Sequence, residues 1–126
     1  MKIKECILIE AFKCHEDESV VDVAKKLRQI TLRHIFVTDK NNHPTGIISV
    51  IDINNRVVAE AKDATKLKAK DIMSKPIDVV DINDNLEDFY EKLIKKNHVM
   101  APVTENKKMV GIITLHQILK NLNKQL

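Results

Sequence analysis

The stretch Gly46-Ile47-Ile48-Ser49-Val50-Ile51-Asp52 has a second version 65 residues later, Gly111-Ile112-Ile113-Thr114-Leu115-His116-Gln117. In both versions the glycine and two isoleucines predict a short buried strand, and the hydroxyl residue after them suits the start of a helix. Self-similarity at a fixed spacing determines the architecture of a chain before any single element is assigned. The 126 residues are therefore predicted to contain two copies of one unit.

An apolar stripe with helical spacing precedes both versions of this stretch. Four residues of the first copy recur 66 positions later: Val20, Val23, Ala24 and Leu27 become Leu86, Phe89, Tyr90 and Leu93. Their i, i+3, i+4, i+7 spacing is typical of one face of an amphipathic helix. Ser19 and Asn85 stand in front of the stripes as candidate N-caps. We expect the two stripes to face a common interior.

The order of elements is strand, helix, strand, strand, helix in both copies, which predicts an α/β (α+β) fold of two βαββα units. Between stripe and final strand, Val37-Thr38-Asp39 matches Val103-Thr104-Glu105, and the β-branched residues suit a strand. We place the first unit at residues 1–62, a charged linker at 63–70 and the second unit at 71–126. A unit of about 60 residues is marginally stable alone, so the two units should depend on one another.

Composition excludes several classes of function. The net charge is only +3 with interleaved signs, and aromatic residues make up 3% of the chain, which argues against a nucleic-acid surface. The apolar N-terminal run is interrupted at Glu10, too early for a signal peptide or a membrane span. The two cysteines, Cys6 and Cys14, form no C-x-x-C motif. We expect a cytoplasmic protein with reduced thiols and no metal.

Ser49 and Asp52 are the residues with the clearest ligand-binding chemistry. A hydroxyl at the end of a strand, followed by the N-terminus of a helix, suits a phosphate group, and a carboxylate can hold a ribose diol. The plain alternative is that Ser49 ends the strand and Asp52 caps the helix, the commoner use of these residue types. The two residues alone do not decide between these interpretations.

The pattern Gly-h-h-[Ser/Thr]-x-x-Asp, where h is an apolar residue, occurs after a capped helix in a unit that is repeated twice, and this arrangement resembles the CBS-domain pair, also called the Bateman module. The resemblance extends from about Glu5 to Leu122. It implies two units related by pseudo-two-fold symmetry, with clefts between them that take AMP, ADP or ATP, or S-adenosylmethionine in some members. It assigns the phosphate contact to Ser49 and the ribose contact to Asp52.

The resemblance also implies further nucleotide-binding residues. Basic residues before the second strand reach phosphates in such proteins, and here they would be Arg33 and His34; a solvated pair at the start of a strand is the alternative. The adenine would lie against the segment that leads into the second unit, which contains the candidate residues Met73, Ser74, Pro76 and Ile77.

The second copy departs from the pattern. Thr114 keeps the hydroxyl, but Gln117 replaces the acid, and Val99-Met100 replaces the basic pair. A carboxamide is a poorer acceptor for a diol than a carboxylate. His98 and His116 are candidates to compensate in part, although a surface or core role is commoner for a histidine. We expect one good cleft at Asp52 and one degenerate cleft formed by Thr114, Gln117 and His98.

These observations favour a non-catalytic regulatory module that binds an adenine nucleotide and has no cofactor or catalytic residue. The chain lacks a nucleophile elbow, a Walker loop and a His-Glu-x-x-His motif. The alternatives are a ligand-free structural or dimerisation module that docks on a separate enzyme or transporter, and an S-adenosylmethionine sensor. The resemblance implies a homodimer.

Overall fold

The computed structural model describes residues 1–30 and 33–123, and these residues form two compact units. The central unit comprises residues 12–77, and the terminal unit comprises residues 1–11 together with 78–126. The central unit contains β1 (Lys13–His15), α1 (Val20–Gln29), β2 (His34–Thr38), β3 (Pro44–Ser49), α2 (Val50–Ile53) and α3 (Ala69–Ile72). The terminal unit contains β4 (Val80–Asp81), α4 (Leu86–Lys96), β5 (Met100–Glu105), β6 (Lys108–Thr114) and α5 (Leu115–Asn123).

Both units contain a three-stranded sheet of the same topology. In the central unit β1 pairs in parallel with β2, and β2 pairs antiparallel with β3. The terminal unit repeats this with β4, β5 and β6. The predicted fold class, a mixed α and β chain with a βαββα repeat, is confirmed.

The compact units do not coincide with the repeats along the sequence. Ala69 and Ile72 are buried in the core of the central unit, where the backbone N–H of Val20 donates to the carbonyl of Leu67 at 2.9 Å. Ile3 and Cys6 are buried in the core of the terminal unit. Residues 63–70, predicted as a linker, thus contribute a core residue. The division into residues 1–62, 63–70 and 71–126 stays a prediction about the repeats, and the boundaries in space are different.

The expectation that the two apolar stripes share one interior is wrong. Val20, Val23 and Leu27 are buried in one hydrophobic cluster with Ile48, whereas the stripe of α4 lies in another. Each stripe finds enough apolar surface inside its own unit because each unit also buries a segment from outside its repeat. The sequence pattern shows which helix face is buried but not what covers it.

The helix after β3 has two parts. The α-helical part, α2, starts at Val50, and it continues as a π-helical turn over Asn54–Val58. Ser49 is its N-cap, so the helix starts directly after the strand. Among the described residues, no helix is both long enough and apolar enough to span a membrane.

Candidate functional site

The predicted basic pair lies beside the predicted hydroxyl at one end of the central sheet. His34 is the direct antiparallel partner of Ser49 in the register of β2 and β3. The backbone N–H of Val50 donates to the carbonyl of Arg33 at 3.3 Å. Both basic side chains are exposed, and Arg33 has a left-handed backbone with φ of 45°, which is uncommon for a residue other than glycine. The structure therefore brings Arg33, His34 and Ser49 together.

Ser49 and Asp52 form a reciprocal capping box. The backbone N–H of Asp52 donates to Oγ of Ser49 at 3.1 Å, and the backbone N–H of Ser49 donates to Oδ2 of Asp52 at 2.9 Å. Both residues thus serve as helix caps, the commoner of the two roles considered from the sequence. The capping box uses one carboxylate oxygen of Asp52, and the Asp52 side chain is 17% exposed.

The second carboxylate oxygen of Asp52 faces Arg56, a residue that the sequence analysis missed. Nη2 of Arg56 lies 3.8 Å from Oδ1 of Asp52, and Nη1 donates to the carbonyl oxygen of Ile72 at 2.6 Å. The i, i+4 spacing of an acid and an arginine was visible in the sequence. A separation of 3.8 Å is too long for a hydrogen bond, so Oδ1 keeps its capacity to accept one.

Of the four residues predicted to contact the adenine, Met73 and Ser74 lie beside the strand that ends at Ser49, whereas Pro76 and Ile77 do not. Met73 and Ser74 lie against β3, where Ser74 and Ile47 exchange backbone hydrogen bonds of 2.8 and 3.1 Å. A Cβ atom at Gly46 would lie 2.5 Å from Sδ of Met73, so the Met73 side chain packs closely over this glycine. The antiparallel bridge directs the chain after Ser74 towards the Pro44 end of β3. Pro76, which is exposed, and the half-buried Ile77 therefore follow a path leading away from Ser49.

The start of α2 offers less to a phosphate than expected from its sequence. Two of the first three backbone N–H groups of the helix, those of Val50 and Asp52, already donate to Arg33 and Ser49. The positive end of so short a helix is also weak. An anion at this position would depend on the side chains of Arg33, His34 and Ser49.

The corresponding position in the terminal unit is closed by its own side chains. The N–H of Thr114 donates to Oε1 of Gln117 at 3.2 Å, and the N–H of Gln117 donates to Oγ1 of Thr114 at 3.3 Å. Nε2 of Gln117 donates to the carbonyl oxygen of Ile7 at 2.9 Å. A single carboxamide therefore caps the helix and contacts the segment beside β6.

His98 interacts with a carboxylate rather than with Gln117. Its Nδ1 lies 2.6 Å from Oδ2 of Asp78, while Nζ of Lys96 donates to Oδ1 at 2.6 Å and Nζ of Lys92 lies 3.9 Å away. Burial opposes ionisation of Asp78, but the hydrogen bonds from Lys96 and His98 outweigh it and lower the pKa of the carboxyl group. The structure gives His98 a partner at the edge of the terminal unit.

The family assignment comes from the agreement of both repeats with one family model. The model described as CBS domain matches residues 3–59 and again residues 69–124. This chain belongs to the CBS-domain family. The two matches cover both βαββα repeats, including the Ser49 and Thr114 motifs.

Two curated proteins are similar in sequence to most of this chain. An uncharacterized protein from Methanopyrus kandleri, MK0525, is 28% identical over 104 residues, which are 82% of this chain and 53% of that protein. A homoserine O-acetyltransferase from Methanococcus vannielii is 27% identical over 119 residues, 93% of this chain and 24% of that protein. The chain thus spans about half the length of one curated relative and about a quarter of the other.

A solved CBS-domain pair shares the fold over the whole chain. The crystal structure of the pair from protein MJ0100, in complex with 5′-methylthioadenosine and S-adenosyl-L-methionine, has a TM-score of 0.77. It is 21% identical and covers 100% of this chain and 98% of that chain. At that identity the likeness shows the fold alone. Within residues 1–30 and 33–123, no three His, Cys, Asp or Glu side chains are grouped to hold a metal ion.

Proposed function

We propose that this CBS-domain pair is a non-catalytic regulatory module that binds an adenine nucleotide, AMP, ADP or ATP, at the Asp52 site. We define the Asp52 site by Arg33, His34, Ser49 and Asp52, with Met73 and Ser74 beside them. The observation that supports the proposal is the pairing of His34 with Ser49 in the sheet, next to the backbone of Arg33 and to Asp52, which caps the helix that follows Ser49. This combination suits a ligand with a phosphate and a sugar diol.

Each part of the nucleotide has a residue of suitable chemistry. Arg33 supplies a planar fork for phosphate oxygens, and such charge-assisted hydrogen bonds contribute about 1.5–3 kcal/mol each. Oδ1 of Asp52 accepts from the ribose hydroxyls, since Oδ2 is already bonded to the N–H of Ser49. Met73 provides an apolar surface for the base. Pro76 and Ile77 remain proposed contacts at the outer end of the same segment.

The MJ0100 complex supports the ligand class only through the shared fold. That protein holds 5′-methylthioadenosine and S-adenosyl-L-methionine, which contain adenosine but no phosphate. The two exposed basic residues of the Asp52 site favour a phosphorylated ligand here. An S-adenosylmethionine sensor is therefore the less favoured form of the proposal.

Calorimetric titration with AMP, ADP, ATP and S-adenosylmethionine tests the proposal directly. The expected result is saturable binding of a nucleotide, with S-adenosylmethionine weaker. Absence of binding by the wild type at millimolar concentrations of all four ligands would contradict it.

Two substitutions at Asp52 separate its ligand contact from its cap. Asp52→Asn keeps an oxygen that accepts from the N–H of Ser49 but removes the charge, and we expect roughly tenfold or greater loss of affinity. Asp52→Ala should weaken binding much more than the matched change Gln117→Ala. Equal effects of the two alanine variants would mean that the binding site is not at Asp52. Thermal unfolding of each variant checks that the fold is kept.

A ligand-free structural or docking module is the second candidate. It is favoured by Ile51 and Val58, seven residues apart on the continuous helical segment of α2 and the π-helical turn, which are 68% and 67% exposed. Exposed large apolar side chains on one helical segment suit a surface that packs on another protein. Sedimentation with and without AMP distinguishes the candidates, because a pure scaffold changes neither its assembly nor its melting temperature.

The proposal includes a partner and a location. We propose that the module is a cytoplasmic homodimer that regulates a separate enzyme or transporter. The similarity to part of a homoserine O-acetyltransferase supports an association of such modules with enzymes. No catalytic activity, cofactor or nucleic-acid partner is proposed for this chain.

A further inference from the structure

We propose that Gln117 closes the ligand site of the terminal unit from within, because its carboxamide offers no second oxygen corresponding to Oδ1 of Asp52 in the central unit. The inference rests on the proposed function, because it concerns which unit binds the nucleotide. In this inference Gln117 is the residue that determines which of the two repeats binds the ligand.

Corresponding positions in the two units cap the helix after the last strand and bind the neighbouring segment, but with different side chains. Thr114, Gln117 and Asn121 occupy the positions of Ser49, Asp52 and Arg56 at the constant spacing of 65 residues. Ile7 corresponds to Ile72, since Ile9 pairs with Ile112 as Ser74 pairs with Ile47. The residues in each unit can therefore be compared one by one.

In the central unit two different residues cap the helix and bind the neighbouring segment. Asp52 caps the helix through Oδ2, and Arg56 donates to the carbonyl oxygen of Ile72. Oδ1 of Asp52 therefore has one weak ion-pair contact, to Nη2 of Arg56 at 3.8 Å. The side chain of Arg56 is 46% exposed. A ribose diol can donate to Oδ1 in place of this contact or beside it, because an exposed ion pair contributes little energy.

In the terminal unit one carboxamide does both tasks, the cap with its single oxygen and the contact to Ile7 with its nitrogen. Oε1 of Gln117 accepts from the N–H of Thr114, and Nε2 donates to Ile7 at 2.9 Å. Oγ1 of Thr114 also lies 3.5 Å from Oε1. Asn121 turns back to donate to the carbonyl of Gln117 at 2.8 Å instead of reaching the Ile7 segment. A diol meets no second side-chain oxygen here, because the position of Oδ1 in Asp52 is taken by the Gln117 nitrogen that donates to Ile7.

Transplanting the central arrangement into the terminal unit tests this role. The full transplant is Val99→Arg, Met100→His, Gln117→Asp and Asn121→Arg, and calorimetry with AMP counts the sites. We expect one AMP per chain for the wild type and two for the transplant. The matched control, Val99→Arg with Met100→His, keeps Gln117 and should still bind one.

The reciprocal exchange keeps the test decisive if the transplant does not fold. Asp52→Gln with Arg56→Asn gives the central unit the closed arrangement that the terminal unit already tolerates. We expect it to fold and to bind AMP at least roughly tenfold more weakly.

The outcomes distinguish this inference from the proposed function. A wild type that binds no AMP contradicts the proposed function. A wild type that binds one AMP, together with a folded transplant that also binds one, overturns the role of Gln117. Two sites in the basic-pair control, or unchanged affinity in the reciprocal exchange, would overturn it as well.

Discussion

The side-chain nitrogen of Gln117 donates to the carbonyl oxygen of Ile7 at 2.9 Å, across 110 residues of sequence. This bond fastens the N-terminal segment beside β6, where Ile9 and Ile112 exchange two backbone hydrogen bonds of 2.9 Å. The helix cap and the attachment of a distant segment thus depend on one side chain.

Replacing Gln117 by Glu should loosen the N-terminal segment without removing the cap. Glutamate keeps an oxygen for the N–H of Thr114 but has no hydrogen to donate to Ile7. We expect a loss of about 1 kcal/mol in the free energy of unfolding and faster amide exchange at Ile9 and Ile112. Exchange at Ile47 and Ser74 in the central unit serves as the internal control. Unchanged protection at Ile9 would show that Gln117 does not hold the segment.

The two glycines of the repeated motif should differ in their tolerance of alanine. A Cβ at Gly111 would lie 2.9 Å from Cβ of Leu8 and 3.2 Å from the carbonyl oxygen of Ile9, which are held by the backbone. At Gly46 the closest atoms belong to the flexible side chain of Met73. We expect Gly111→Ala to destabilise the protein by about 1–3 kcal/mol and Gly46→Ala by less.

Chemical denaturation of both glycine variants measures the difference. A second check is Gly46→Ala in a Met73→Ala background, where removal of the long side chain relieves the clash. The expected cost of Gly46→Ala is smaller there than in the wild type. An equal cost in both backgrounds would contradict the contact with Met73.

Much of the fold was predictable from the sequence because it rests on local periodicity. The stripe that begins at Val20, its cap at Ser19 and the strand that ends at Ser49 all follow from residue types within a few positions. The attachment of residues 1–11 to the second repeat was not predictable, because it depends on contacts between segments far apart in the chain. The assumption of one shared core failed for that reason.

The candidate site was predicted in part. The family resemblance implied that His34 and Ser49 belong to one site, and the register of β2 and β3 pairs them directly. Arg56 was missed, although its spacing from Asp52 is the ordinary one for an ion pair on a helix. Gln117 was identified as a poorer ligand residue, but its bond to Ile7 leaves no local pattern in the sequence.

Asp78 should make the stability of the terminal unit depend on pH in the acid range. Its pKa is lowered in the folded protein because the hydrogen bonds from Lys96 and His98 outweigh the effect of burial. The carboxylate therefore contributes stability above its unfolded pKa of about 4, and this contribution is lost as the pH falls through the folded value.

Asp78→Asn tests this dependence. We expect a loss of about 1–2 kcal/mol near pH 7, with the difference from the wild type shrinking as the pH falls below about 4. Glu91→Gln, an exposed change on the same helix as Lys92 and Lys96, is the matched control and should show little effect. A loss that is constant from pH 7 to pH 3 would mean that ionisation of Asp78 is not its cause.

Cys14 should resist alkylation in the folded protein. Burial raises the pKa of its thiol to about 12, and its side chain is inaccessible to solvent. Since the thiolate is the reacting form, iodoacetamide should modify Cys14 only as fast as the central unit opens. Mass spectrometry with and without urea measures this, and rapid labelling without urea would contradict the burial of Cys14.

An amide spectrum of the wild type during titration with AMP tests the central claim most directly, because it reports which unit binds. The account predicts saturable shifts at His34, Ser49 and Asp52, with residues around Ile72 to Ser74 following. It predicts only small changes at Thr114 and Gln117. Shifts centred on Thr114 and Gln117, or none at millimolar AMP, would contradict it.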